Sequence, residues 1–424
     1  AWQERDGQKI PVSVQYVLKE KTVSFSCPSP YDLALPLTVD PTLVWGTFIS
    51  GMSTDRGWDM TLDSQGNILI TGLSVCWNYP LVNPVQGSGG YFDAIVSKLS
   101  PDGTTLLSST CLGGSQNEWA MGTAVDPQDN MIVTGFTQSS DFPIVGGLAT
   151  FGGGTCWGEP CKDIFVAKLN PGGNAILYSS YLGGSGTDHA NHVVADASGK
   201  IYIAGYSGST NLPTTANAYA LTNHGVVNIV VAKFDPTLTG ANSLVYSSYI
   251  GGNGDDRAED IAIDNSGKIS LTGYTNSGWG TGFPSVNPIQ VYREGSYDAF
   301  VIQMDLSRSG TAGVLFSSYW GGSGDDIAHS IALDGAGKVY ITGNTKSSNF
   351  PIVNAYQTGF GGSCTTNCQD GFIAKLDPGA SQVIWSEGSV SGQWASLVVP
   401  ELVASGDRLT IFVELQDQGE LTGA

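Results

Sequence analysis

Charge is scarce in this sequence, and basic charge scarcer still: 13% of the 424 residues are Asp, Glu, Lys or Arg, with 38 acidic residues against 18 basic. Recognition of a phosphate backbone needs clustered Lys and Arg, so a net charge of −20 argues against nucleic acid as a partner. It suits a solvated surface, cation binding or a basic partner. Histidine is rare, at four residues, and no zinc-binding helix motif, phosphate loop or nucleophile elbow occurs. No apolar run approaches ~18 residues, so no membrane span is expected. Helical periodicity of useful length is also missing, which leaves strands and turns as the building material. The chain starts at Ala and shows no secretory leader, as expected of a processed or truncated product.

What is abundant is glycine, 57 residues of it, and it is placed periodically. Anchoring on a glycine that closes a Gly-Gly pair in four copies and follows Ser50 in the first (Gly51, Gly114, Gly184, Gly252, Gly322), an acid follows at plus four in every copy: Asp55, Glu118, Asp188, Asp256, Asp326. Aspartate follows at plus twelve (Asp63, Asp126, Asp196, Asp264, Asp334) and glycine at plus twenty-one (Gly72, Gly135, Gly205, Gly273, Gly343). The first half of the unit tolerates no insertion, while the second half stretches the repeat distance between 63 and 70 residues. A fixed internal period of this kind means one supersecondary unit copied and stacked. In the fifth copy, SIALD (330–334), VYITGNT (339–345), DGFIAKL (370–376) and Val383–Trp385 read as four short strands separated by Gly, Pro and Asp turns. Four antiparallel strands per repeat make a β-propeller blade, so the expected fold is an all-β, single propeller.

The strings FDAIVSKLSPDG (92–103), IFVAKLNPGG (164–173) and DAFVIQMD (298–305), with LYSSYLGGSGTD (177–188), VYSSYIGGNGDD (245–256) and FSSYWGGSGDD (316–326), resemble the SBBP family of bacterial β-propeller repeats. Phe142-Pro143, Phe283-Pro284 and Phe350-Pro351, relaxed to Tyr79-Pro80 and Leu212-Pro213, fit the same pattern, and so does the lead-in at 37–48. The likeness covers about residues 37–387. It implies a propeller with a secreted or cell-surface address and names no reaction, since fold alone does not.

The remainders at the two ends suggest how the ring closes. Val44–Ile49 looks like an unpartnered fourth strand, while Trp394–Val399 and Leu409–Leu415 resemble the first two strands of a decayed sixth unit. Together they predict six blades, with the N-terminal hairpin Ile10–Leu18 and Thr22–Cys27 as a source of the missing strand; seven blades with a longer chain is the alternative. The expected division is a lead-in over 1–43 and a propeller over 44–424. Its repeats run at about 51–113, 114–183, 184–251, 252–321 and 322–387, and residues 388–424 close the ring.

Cys156 and Cys161 in one repeat, and Cys364 and Cys368 in another, occupy equivalent places before the third strand and read as local disulfides, which need an oxidising compartment. Cys76 and Cys111 form a candidate third bridge, leaving Cys27 odd. Chain direction puts the plus-four acids on the same face as the long loops between second and third strands. At about twenty residues these loops exceed the ~12–15 that structureless loops reach. Five carboxylates around an axis could hold Ca²⁺; alternatively each caps its own turn. His189 and His192 beside Asp188, and His329 beside Asp326, are the candidate acid–base groups. The loop aromatics Trp77, Trp157, Trp279 and Tyr292 are candidate ligand contacts. Three functions follow: a non-enzymatic extracellular structural or adhesive module, alone or as a subunit of a surface assembly or filament, with other protein subunits or glycans as partners; a carbohydrate-binding propeller; or a glycan-processing enzyme, for which no asymmetric acid pair is visible.

Overall fold

A computed structural model describes residues 2–379 apart from 6, 14, 20–21, 27–30, 33, 38–43, 279, 281 and 362–367. The chain falls into two compact units, Ala1–Ile49 with Asp102–Thr105, and Ser50–Pro101 with the remainder from Leu106. In the first unit two hairpins form, Trp2–Arg5 with Gln8–Pro11 and Gln15–Lys19 with Thr22–Ser26. The single strand expected over Ile10–Leu18 is therefore divided between them. Val44–Ile49 belongs to this unit and is irregular, with Val44 and Phe48 exposed; the C-terminal strands expected to pair with it lie outside the described residues.

Among the described residues the second unit is all β apart from two 3₁₀ turns at Gly240–Ser243 and Gly310–Gly313. Four sheets each hold four antiparallel strands in simple sequence order. The first blade runs Asp55–Leu62, Ile68–Ser74, Asp93–Leu99, Leu106–Leu112, and the second Glu118–Val125, Met131–Thr137, Asp163–Leu169, Ile176–Leu182. The third runs Asp188–Ala195, Ile201–Ser207, Asn228–Phe234, Leu244–Ile250, and the fourth Asp256–Ile263, Ile269–Thr275, Asp298–Met304, Val314–Trp320. A fifth sheet has Asp326–Leu333, Val339–Thr345 and Asp370–Leu376 among the described residues. Val383–Trp385, read as its fourth strand, lies outside them.

The sequence motifs acquire physical reasons here. Each plus-twelve aspartate folds back on its own turn: Asp63 Oδ1 accepts from the Asn67 and Gln65 N–H groups, and Asp196, Asp264 and Asp334 repeat the pattern. The turn then needs a left-handed residue three places on, which Gly66, Gly199, Gly267 and Gly337 supply at φ near +80°, and Asp129 supplies in the second blade. The second tyrosine of Y-S-S-Y pins the long loop. Tyr181 Oη donates to Ser139 O and accepts from the Phe142 N–H, and Tyr249 does the same with Ser209 and Leu212. Apolar side chains between neighbouring sheets form the core, among them Ile164, Val166, Ile203, Val230 and Phe234 between the second and third blades.

Candidate functional site

Every first strand carries a β-bulge at one place. Gly57, Ala120, Ala190, Ala258 and Ala328 pair with the plus-twenty-one glycines, the next residue is skipped, and pairing resumes one position later. The bulge swings the carbonyl of the plus-five residue over the glycine: a Cβ on Gly205 would overlap His189 O, and one on Gly273 would overlap Arg257 O. This explains the invariant glycine without any unusual φ. Bulges re-aim side chains. Those re-aimed here are the plus-seven and plus-eight residues: Trp58, Met121, Asn191, Glu259, His329, and then Asp59, Gly122, His192, Asp260, Ser330. Both columns vary between blades, the plus-seven residue differing in all five and the plus-eight residue repeating only as Asp59 and Asp260.

They meet between the first strands. His192 Nδ1 lies 2.8 Å from Asp260 Oδ1 and its Nε2 lies 3.5 Å from Asp59 Oδ2, so one imidazole from the third blade joins carboxylates of the first and fourth. Gly122, with no side chain, leaves room for that reach past the second blade. Asp260 Oδ2 also accepts from Ser330 Oγ at 2.9 Å and the Ile331 N–H at 2.8 Å, while Asp59 Oδ2 accepts from the Thr123 N–H at 2.7 Å. Burial alone would push His192 down, but the two aspartates outweigh it and raise it to about 10. It is therefore an imidazolium at neutral pH, without a lone pair to act as a base. Asp59 is pushed up by burial, and the His192 and Thr123 donors more than reverse that, holding it below the usual carboxylate range. Burial raises the neighbouring Glu259, against His329 and Arg257. An open depression of about 430 Å³ adjoins this cluster, lined by Met60, Thr123, Val193 and Ile261.

The other histidines play different parts. His189 is 9% exposed and sandwiched between Phe136 at 4.6 Å and Tyr206 at 4.7 Å; burial pushes it down to about 3, so it packs as a neutral ring. His329 Nε2 lies 2.5 Å from Asn344 Oδ1 on the exposed bulge. Neither approaches the acid beside it in sequence to form a dyad. The pairing of His192 with Asp59 and Asp260 was not legible as such, but disagreement within a gapless column was the signal that could have found it.

The ring of Asp55, Glu118, Asp188, Asp256 and Asp326 is occupied from within. Each carboxylate accepts the N–H of its own Gly51, Gly114, Gly184, Gly252 or Gly322 at 2.7–2.9 Å, and the last four are fully buried. Thr137, Ser207 and Thr275 hydroxyls donate to Glu118, Asp188 and Asp256, and Ser209, Ser277 and Ser347 add further donors. Among the described residues no group of three or more His, Cys, Asp and Glu is arranged to hold a metal ion. The geometry is that of turn caps.

On the loops, Cys76 bonds Cys111 and Cys156 bonds Cys161. Cys368 is disulfide-bonded, while Cys364 and Cys27 lie outside the described residues. Trp77 is 71% exposed, Tyr292 59% and Trp157 wholly exposed; Trp279 lies outside the described residues.

Comparison with known proteins now places the chain. The SBBP β-propeller repeat matches at residues 177–213 and 315–351. The chain carries SBBP repeats. Each SBBP match runs from the last strand of one blade, through the acid, bulge and glycine of the next, to Leu212-Pro213 or Phe350-Pro351. The unit thus straddles a blade junction. Residues 1–42 match a domain of unknown function, DUF7948. The regulatory protein FlaEY of Caulobacter vibrioides is 24% identical over 288 residues, covering 65% of this chain and 27% of its own length. An uncharacterized WD repeat-containing protein, L264, of Acanthamoeba polyphaga mimivirus is 23% identical, covering 47% of this chain and 16% of its own. The chain thus spans a small part of either relative. Among solved structures, a luciferin-regenerating enzyme aligns with 71% of this chain and 87% of its own at 13% identity and a TM-score of 0.28. The pyranose dehydrogenase PQQ domain of Coprinopsis cinerea aligns with 69% and 72% at 11% identity and a TM-score of 0.31. Among the described residues no helix is long and apolar enough to cross a membrane.

Proposed function

We propose that this chain is a non-enzymatic, extracellular or cell-surface adhesive propeller whose long loops make the contact. The observation that carries the reading is Trp157. It sits at the tip of a two-stranded hairpin, Thr155–Cys156 with Glu159–Pro160, closed at its base by the Cys156–Cys161 disulfide. Trp157 has φ +51° and the following Gly158 φ +91°. A bulky residue in the left-handed region costs of the order of 1–3 kcal/mol, and here no burial offsets it, because the indole is wholly exposed. A rigid, costly, solvent-facing aromatic is suited to burial against a partner. The disulfides support an oxidising compartment. The imidazolium state of His192 speaks against its use as a base and so against a glycan-processing enzyme built on it.

The planar, exposed rings of Trp157, Trp77 and Tyr292 favour glycans as the partner over other copies of a surface assembly. The test is a printed glycan array probed with the chain and with Trp157→Ala. Retention on particular glycans that Trp157→Ala abolishes, with the melting temperature unchanged, supports the reading. Release of reducing ends from a polysaccharide would overturn the non-enzymatic part. Equal retention of both proteins would remove the loops from the contact.

A further inference from the structure

Successive blades meet through a second polar column, at the start of the third strand: Asp93, Asp163, Asn228 and Asp298. The main chain brings this residue against the acid of the next blade. The Glu118 N–H donates to Phe92 O, Asp188 to Lys162 O, Asp256 to Val227 O and Asp326 to Tyr297 O, at 2.7–2.9 Å, each acceptor being the residue just before the column. The two side chains then converge on the first glycine of the Gly-Gly pair. A Cβ on Gly321 would lie 2.7 Å from both Asp298 Cγ and Asp326 Oδ2, and one on Gly113 would strike Asp93 and Glu118 together. Gly183 is likewise crowded by Asp163, on which the charge of Asp188 acts. All eight residues at these four junctions are at most 1% exposed.

Three junctions therefore bury two carboxyls side by side, and among the described residues no lysine or arginine bonds to either. Such a pair cannot stay doubly ionised cheaply. The remaining junction shows what the interaction requires. Asn228 Oδ1 accepts the His224 N–H, as Asp163 accepts Gly152 and Asp93 accepts Gly89 and Gly90, but its Nδ2 donates to Asp256 Oδ2 at 3.1 Å. An amide has that hydrogen permanently; an aspartate has it only when protonated. Two buried oxygens at the acid junctions, Asp163 Oδ1 and Asp326 Oδ1, have no hydrogen-bond partner.

We propose that the blade junctions are proton-binding sites, at which Asp93–Glu118, Asp163–Asp188 and Asp298–Asp326 each share one proton taken from solvent, with Asn228 supplying the equivalent hydrogen to Asp256. The proton sits in an O–H···O⁻ hydrogen bond and the pair keeps a single negative charge. Burial raises Asp163 to about 8, with the Asp188 charge adding to it, and burial raises Asp188 and Asp298 to about 6; Asp93 and Glu118 move in the same direction. Arg293 opposes the shift at Asp298. The remaining neighbours are phenols: Tyr181 against Glu118 and Asp163, Tyr249 against Asp188, and Tyr319 against Asp256 and Asp298, with Asp141 also facing Tyr181. A carboxyl raised on folding contributes fully below its unfolded value of 3.8 and loses that contribution as pH rises through the folded one. The junctions therefore tighten in mild acid and loosen toward pH 8.

Thermal unfolding of the full chain at about pH 5 and about pH 8 tests this, with Asp163→Asn and Asn228→Asp as the variants. Each shared proton lowers the folding constant about tenfold per pH unit within its window. Asp163→Asn should remove one such dependence and melt higher than the native chain at the upper pH. Asn228→Asp should match the native chain in acid and fall below it at the upper pH. If Asp163→Asn does not fold, Asn228→Asp decides by the same readout, together with an infrared carbonyl band of protonated acid in the native chain at neutral pH. A pH-independent loss in both variants, or no acid carbonyl band, overturns the proposal.

Discussion

Gly205 and His192 lie on adjoining strands of one blade, yet they belong to opposite kinds of position. Gly205 pairs with Ala190 and accommodates the bulge, and its counterpart is glycine in all five copies. His192 pairs with Ala204 one step further along, and its counterparts are Asp, Gly, Asp and Ser. The backbone dictates the first column: any Cβ there meets a carbonyl oxygen. The second is not held to one residue type by a clash shared among the blades, although a Cβ on Gly122 would meet His192 Cα at 2.8 Å, and in it the chain has built an asymmetric charge cluster on a symmetric frame. Repetition therefore marks what the blade needs to fold, and departure from it marks what this particular chain does with the blade.

The largest expected effect tests the constant column. Gly205→Ala should destabilise the chain by about 3–4 kcal/mol, because strand and bulge cannot both keep their places around a Cβ. A denaturant midpoint shifted by less than about 1 kcal/mol would show that the bulge can relax and that the column is not a backbone requirement.

A smaller effect tests the variable column. His192→Ala leaves Asp59 and Asp260 facing each other without their cation, and losing one partner of a buried ion cluster costs about 3–5 kcal/mol. The His192 side chain is 29% exposed, so solvent screening reduces the expectation to about 1–3 kcal/mol at neutral pH. The sign with pH is fixed by the raised imidazole. Its contribution is complete below its ordinary 6.5 and is lost as pH rises through about 10, so the gap between native and variant chains should close across that interval. A gap that stays constant with pH would mean that His192 contributes packing alone.

Much of the fold was legible because strand, turn and glycine columns recur in one register, and a strand's alternation or a turn's left-handed glycine is local chemistry. The bulge was not legible. It inserts a residue without changing the repeat length, so plus-twenty-one glycine could be seen and its cause could not. The [DN] column at Asp93, Asp163, Asn228 and Asp298 was visible as a motif, but its meeting with Glu118, Asp188, Asp256 and Asp326 depends on blade stacking, which lies beyond local pattern. Cys76–Cys111 was readable because both residues fall in one repeat. The expected strand at Val44–Ile49 rested on remainders alone, without a turn or alternation signal of its own, and that segment is irregular. The six-blade closure that depends on it falls largely on residues outside those described.

The smallest expected effect concerns the acids first considered for calcium. A hard cation would need several oxygens free to turn toward it. In each described blade from the second to the fifth, the plus-four carboxylate is fully buried and already receives the glycine N–H and at least one serine or threonine hydroxyl. Turning an oxygen outward would break those bonds and strand the donors, at about 1–3 kcal/mol each. Only Asp55 is partly exposed, and one carboxylate does not make a calcium site. A chelator should therefore leave the melting temperature where it is, since nothing that binds the native state is being removed. A fall on chelation, reversed by added Ca²⁺ and abolished by Asp55→Asn, would break the comparison by showing that the constant column binds a ligand as well as capping a turn.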